Sequence, residues 1–167
     1  MSISRMTASP GNGAFAAVQA RLDAPDIQDV MKGRTVSLAR VGSVLVVAHN
    51  AQPPAQEEWV RYCELLSKHL PDITAQLVLA EGPGPSAAQR QQALESAPKG
   101  SVIPPTVVFT RSALVRGVVT LFNWFTPRAM RALPPGDVLP AAQHLRMPEE
   151  QLRRLVDIGE TLRPADT

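Results

Sequence analysis

Three short apolar runs constrain this chain more than any other feature: "VLVVAH" at 44–49, "TAQLVLAE" at 74–81 and "PTVVFT" at 105–110. Each is too short for a buried helix and is rich in valine and leucine, the signature of a strand covered on both faces. The segments between them are long enough to hold a helix. Such spacing requires crossover connections, which are right-handed by strong preference, and therefore parallel strands.

Ahead of the first run, "TVSLAR" at 35–40 alternates apolar and polar residues as a half-buried strand does. It is separated from "VLVVAH" only by "VGS", so these two strands must be antiparallel neighbours. "QPPAQEEWVRYCELLSKHLP" at 52–71 reads as a helix with prolines before its first turn and acids within it, where the dipole favours them. Further helices are expected over about 86–97 and 112–125. "RAMRAL" at 128–133 has the look of a short edge strand. Asp137 is placed to cap a helix ending near Leu145, and Pro148 to begin a last one with Leu152, Leu155, Val156 and Leu162 on one face. The order is β-β-α-β-α-β-α-β-α: an α/β fold, mostly parallel with one antiparallel strand, helices packed on the sheet.

A chain of 167 residues suits one such domain, over 34–163, with a four-residue tail at 164–167. Residues 1–33 read as a leader with one or two short helices, from the spacing of Phe15, Val18 and Leu22 and of Ile27, Val30 and Met31. The formal charge is only +2, and the arginines are scattered without aromatic interleaving, which argues against a nucleic-acid surface. Cys63 is the only cysteine, so neither an intrachain disulfide nor a cysteine metal cluster is expected. No apolar run approaches the roughly 20 residues of a membrane span, and the start lacks a signal-peptide core. A cytoplasmic location is expected. The abundance of arginine, alanine and proline over lysine points to a GC-rich bacterial genome.

The element order, together with the junctions "VLVVAHNAQPPAQEEW", "LVLAEGPGPSAAQR" and "VVFTRSALVRGVVTLFNWF", resembles STAS domains, the fold of bacterial anti-sigma-factor antagonists. In particular it is similar to a divergent group of single-domain STAS-like bacterial proteins, over about 35–162. The resemblance implies a protein-interaction or regulatory module. In the antagonists a serine at the start of the helix after the third strand is phosphorylated by a partner kinase. Ser86 occupies that place here, although "EGPGPSAA" lacks the family's acid directly before the serine and its following glycine.

Read from its residues alone, the 81–89 stretch is a turn with a capped helix. Ser86-Ala87-Ala88-Gln89 fits a capping box. Nucleotide binding at this loop is not expected, because the Walker Gly-Lys-Ser/Thr is missing and Pro83 and Pro85 have no N–H to offer an anion.

Two constellations remain. His49, Glu81 and Arg111 follow successive strands, and the carboxyl ends of parallel strands are where open α/β sheets bind ligands. His49 with Glu81 is a candidate acid–base pair, and Arg111 or Arg116 a candidate anion holder. The ordinary alternative is that Ser112 caps its helix and Glu81 pairs with an arginine.

In the 112–125 helix, Leu114, Val118, Leu121 and Phe125 form the expected core stripe, with Val115 and Phe122 beside it. Trp124 and Val119 fall outside it. With Arg116 and Asn123 they make a candidate docking face for a protein partner or a second copy. Cys63 shares a stripe with Trp59, Leu66 and Leu70 and is expected in the core. No residue set supplies nucleophile, base and charge stabiliser together, and no metal, cofactor or catalytic residue is expected. The function read from the sequence is a non-catalytic interaction or regulatory module. The alternative is a carrier or sensor of a small apolar or anionic ligand, held between sheet and helices near Trp124 and Arg111.

Overall fold

The structure, a computed structural model, describes residues 22–125 and 129–166, with the side chains of 121–125 outside the description. Six strands form one sheet in sequential order: β1 (Ile27–Met31), β2 (Val36–Val41), β3 (Val44–His49), β4 (Ala75–Leu79), β5 (Thr106–Phe109) and β6 (Met130–Leu133). β2 is antiparallel to both β1 and β3, and β3 to β6 pair in parallel. A single strand therefore runs against the other five, as the tight "VGS" turn requires. The helices are α1 (Gln56–His69), α2 (Ala87–Ser96), α3 (Ala113–Phe125), α4 (Val138–Leu145) and α5 (Glu149–Leu162).

Sequential order has a consequence for the layers. Crossovers of one hand that always step in the same direction deposit their helices on the same face of the sheet. α1 packs there against Leu45 and Val47 through Trp59, Tyr62 and Cys63, and α3 against Ala80 and Val108 through Val115 and Val119. After β6 the chain turns under the sheet. α4 and α5 cover the opposite face, where Leu145, Leu152, Leu155, Ile158 and Leu162 meet Val46, Leu77, Leu79 and Val107. α5 lies close against the strands because Gly159 has no side chain: a Cβ there would stand 2.5 Å from Leu79 Cδ1.

The expected strands and helices from 35 onwards are present, and the sheet has one strand more. Residues 27–31, read from Ile27, Val30 and Met31 as helical, form β1 on the edge beside β2. The i, i+3, i+4 spacing misled because the strand carries a bulge between Gln28 and Met31, with Asp29 at φ 51°. One extra residue reverses the side-chain alternation. Ile27 thus packs on the α5 side and Met31 on the α1 side.

A buried carboxylate fixes how α1 enters. Glu58 accepts hydrogen bonds from the backbone N–H of Arg34 (2.6 Å), Thr35 (2.9 Å) and Val36 (3.1 Å) and from the Thr35 hydroxyl (2.6 Å). Burial alone would push this carboxyl up, but the four donors outweigh it and hold the pKa at about 2. The last residues are held too. Fully buried Asn50 donates to the carbonyls of Arg34 (2.9 Å) and Ala165 (3.1 Å), and Ala51 N–H donates to Asp166 (3.0 Å).

Candidate functional site

The 81–89 turn is built as its residues demand. Gly84 takes φ +72°, the left-handed conformation that favours glycine. Ser86 Oγ accepts from Gln89 N–H at 3.2 Å, and Gln89 Oε1 accepts from Ser86 N–H at 2.9 Å, so the capping box is present. Gln89 does more than cap. Its side-chain Nε2 donates to Pro54 O (2.9 Å) and its backbone carbonyl accepts from Trp59 Nε1 (2.8 Å), which fastens α2 to α1.

That attachment leaves a space. α2 reads "AAQRQQALES", has only Gln89 buried, and leaves Leu94 43% exposed. With so little apolar surface it rests on α1 and not on the sheet. α3 leans the other way, onto β6. Between them β4 and β5 are incompletely roofed, and a cavity of about 190 Å³ remains. Its floor is Val78, Ala80 and Val108; its walls include Trp59 and Leu66 from α1, Ala93 from α2, and Val115 and Val119 from α3. Polar side chains reach it at a few points. Gln76 donates to Tyr62 Oη (3.0 Å), Thr106 donates to Pro104 O (2.9 Å), and Arg90 donates to Pro85 O (2.8 Å).

His49 also lines this cavity, its ring 6.5 Å from that of Trp59. It is 4% exposed, and its buried Nδ1 has no hydrogen-bond partner among the described residues. Burial, reinforced by the positive charge of Arg163, lowers its pKa to about 4, so the imidazole is neutral at pH 7. The phenol of Tyr62 is pushed up to about 12, first by burial. The Cys63 thiol is also pushed up by burial, and it packs in the α1 core as its helical stripe predicts.

The expected pairing of His49 with Glu81 does not form. Side chains alternate along a strand, and His49 lies level with Ala80, so Glu81 falls on the opposite face. There Glu81 and Arg111 line a second groove of about 580 Å³ beside Arg153, Glu160 and Arg163. Arg163 reaches Glu81 at 3.3 Å, donates to Glu160 at 2.8 and 2.9 Å, and donates to the His49 carbonyl at 3.1 Å. Glu81 therefore has the arginine partner that the ordinary alternative anticipated. Sequential strand order also has no reversal, so the sheet lacks the crevice that usually attracts ligands in open α/β folds.

The docking face read on α3 needs correction. Val119 is buried against the sheet with Val115, whereas Leu114, assigned to the core, is 65% exposed. Arg116 is exposed and donates to Arg111 O at 3.2 Å, and Ser112 caps the helix by accepting from Val115 N–H at 3.3 Å. The side chains of Trp124 and Asn123, and the leader residues Phe15 and Val18, lie outside the described residues.

Among the described residues no group of three or more His, Cys, Asp and Glu side chains is placed to hold a metal ion, and no helix is long and apolar enough to cross a membrane. The chain is similar to a crystal structure of an uncharacterised protein of the DUF3478 family, with a SpoIIAA-like fold, from Shewanella loihica PV-4. The two are 18% identical, the match covers 71% of this chain and 98% of that one, and the TM-score is 0.49. No protein-family model and no curated protein matches the chain.

Proposed function

We propose that this chain is a non-catalytic binding module that takes a small, mainly apolar molecule into the cavity between β4, β5 and the α1–α3 layer. The observation that carries this reading is the cavity itself: valine, alanine, leucine and tryptophan surround about 190 Å³ of space that the neighbouring helices leave unfilled. Apolar cavities of about 150 Å³ stay dry and accept benzene, so this one suits a molecule of around ten non-hydrogen atoms. In this reading the cavity does no nucleophilic chemistry, and the Cys63 thiol packs in the α1 core.

Ethylbenzene is a sufficient first probe. It should shift the methyl NMR signals of Val78, Ala80, Val108 and Val115 and leave those of Val46 and Leu155, on the other face, in place. Saturation to ten times Kd should also stabilise the fold by about 1.4 kcal/mol through mass action. Ala93→Phe, which fills the space from α2, should abolish both effects. Unmoved methyl signals at the solubility limit of ethylbenzene would overturn the reading.

A second reading keeps the chain an interaction module for a protein partner or another copy. It rests on Leu114, which stands exposed on α3, a helix on which Arg116 is exposed too. An isolated exposed leucine is common in soluble proteins, so the cavity is the stronger observation.

A further inference from the structure

Resting on the cavity reading, we propose that His49 is the ligand's polar anchor, and that the molecule bound is a neutral alcohol or phenol whose hydroxyl hydrogen-bonds the His49 imidazole while its apolar body fills the space over Val78 and Val108.

The assignment comes from comparing the polar groups on the wall. Gln76 and Tyr62 bond each other, Thr106 is bonded to Pro104, and Arg90 to Pro85. Each already holds a partner within the chain. His49 does not: its ring is almost completely buried and lines the cavity, and its buried Nδ1 has no hydrogen-bond partner among the described residues. A buried polar group left without a partner is costly, and native proteins rarely leave one so. A ligand that supplied the missing bond would recover that cost on binding, which a hydrocarbon of the same shape cannot do.

The chemistry of the ring then selects the class of ligand. A neutral imidazole has one donor and one acceptor nitrogen, and a hydroxyl can serve either. A carboxylate would have to shed its water in a nearly wholly apolar space, facing an uncharged ring. Burial of an unpaired charge is far more costly than burial of a hydroxyl. Among the described residues the one guanidinium on the wall, Arg90, is held at Pro85 on the turn.

Three matched probes test this: 4-ethylphenol, ethylbenzene and 4-ethylbenzoate, titrated by calorimetry into the full chain. In the wild type 4-ethylphenol should bind about tenfold more tightly than ethylbenzene, the value of one buried hydrogen bond, and 4-ethylbenzoate more weakly than either. In His49→Phe the preference for the phenol should vanish while ethylbenzene binding persists. A second measurement uses the wild type alone. The ring 15N signals of His49 should move on addition of 4-ethylphenol and stay in place with ethylbenzene, whatever the stability of the variant.

The outcomes separate the two claims. Absence of binding by every probe would overturn the cavity reading and this proposal with it. Equal binding of phenol and hydrocarbon, with unmoved His49 signals, would leave the cavity and overturn the anchor. Tightest binding by the benzoate would overturn the neutral class.

Discussion

Two buried titratable side chains make this fold sensitive to acid in two successive windows that overlap near pH 4. His49 has its pKa lowered from 6.5 to about 4, first by burial and then by the charge of Arg163. The unfolded chain therefore binds its proton more readily than the native one does. Stability from this site is complete above pH 6.5 and is lost as the pH falls from there towards 4. Glu58 is held at about 2, against an ordinary value of 4.5. Its contribution is complete above 4.5 and is lost as the pH falls towards 2. Each shift corresponds to about 3 kcal/mol, to order of magnitude. Urea unfolding measured from pH 7.5 to 3 should show two successive declines. His49→Phe should flatten the upper one, and Glu58→Gln the lower one. A profile with no decline between pH 6.5 and 4.5 in the wild type would contradict the burial of His49.

At the level of elements, the sequence was legible wherever an apolar run had no choice of face. β3, β4 and β5 are buried on both sides, so a continuous run identifies them without regard to register. The capping box at Ser86 and Gln89 was legible as well, because it depends only on residues three apart. Two elements were misread, each for a definite reason. In β1 a bulge reversed the alternation and left a spacing that imitates a helix. In α3, Leu114, Val115, Val118 and Val119 are all apolar, so periodicity alone does not set the helix's rotation. The sheet sets it, by offering Ala80 and Val108 to Val115 and Val119. The rotation is testable. Val119→Ala should destabilise the fold by about 2 kcal/mol, as truncation of a buried side chain does. Leu114→Ala should stay within about 0.5 kcal/mol, as exposed substitutions usually do. Sedimentation velocity of Leu114→Ser against the wild type checks the interaction reading at the same time. A wild-type dimer that the substitution dissociates would favour self-association through this face, and an unchanged sedimentation coefficient would count against it.

Across the whole molecule, the candidate site is a product of topology more than of any motif. Sequential strand order places all three crossover helices on one face, and a polar α2 among them opens the cavity. Neither fact is local, which is why His49 was found from its place at a strand end but given the wrong companion. The far end of the chain closes the same region from the other side. Arg163 links the His49 carbonyl to Glu81, and residues 165–166 bond Asn50 and Ala51 just beyond β3. None of these contacts is signalled by sequence spacing, since they join positions 82 to 115 residues apart. A chain ending at Leu162 tests their weight. It would leave the buried Asn50 amide with one of its two carbonyl partners and Glu81 without its arginine. A cost of about 1–3 kcal/mol is expected, the penalty of an under-satisfied buried polar group. The midpoint of urea unfolding should fall without a change in slope, because α5 and the sheet core remain intact. With Arg163 gone, the second cause of His49's depressed pKa goes too, while burial, the larger one, stays. The imidazole should therefore titrate above 4 and still below 6.5, which its carbon-bound proton shifts would follow. Unaltered stability and titration in the shortened chain would mean that the last five residues merely rest on the surface and take no part in holding the end of β3.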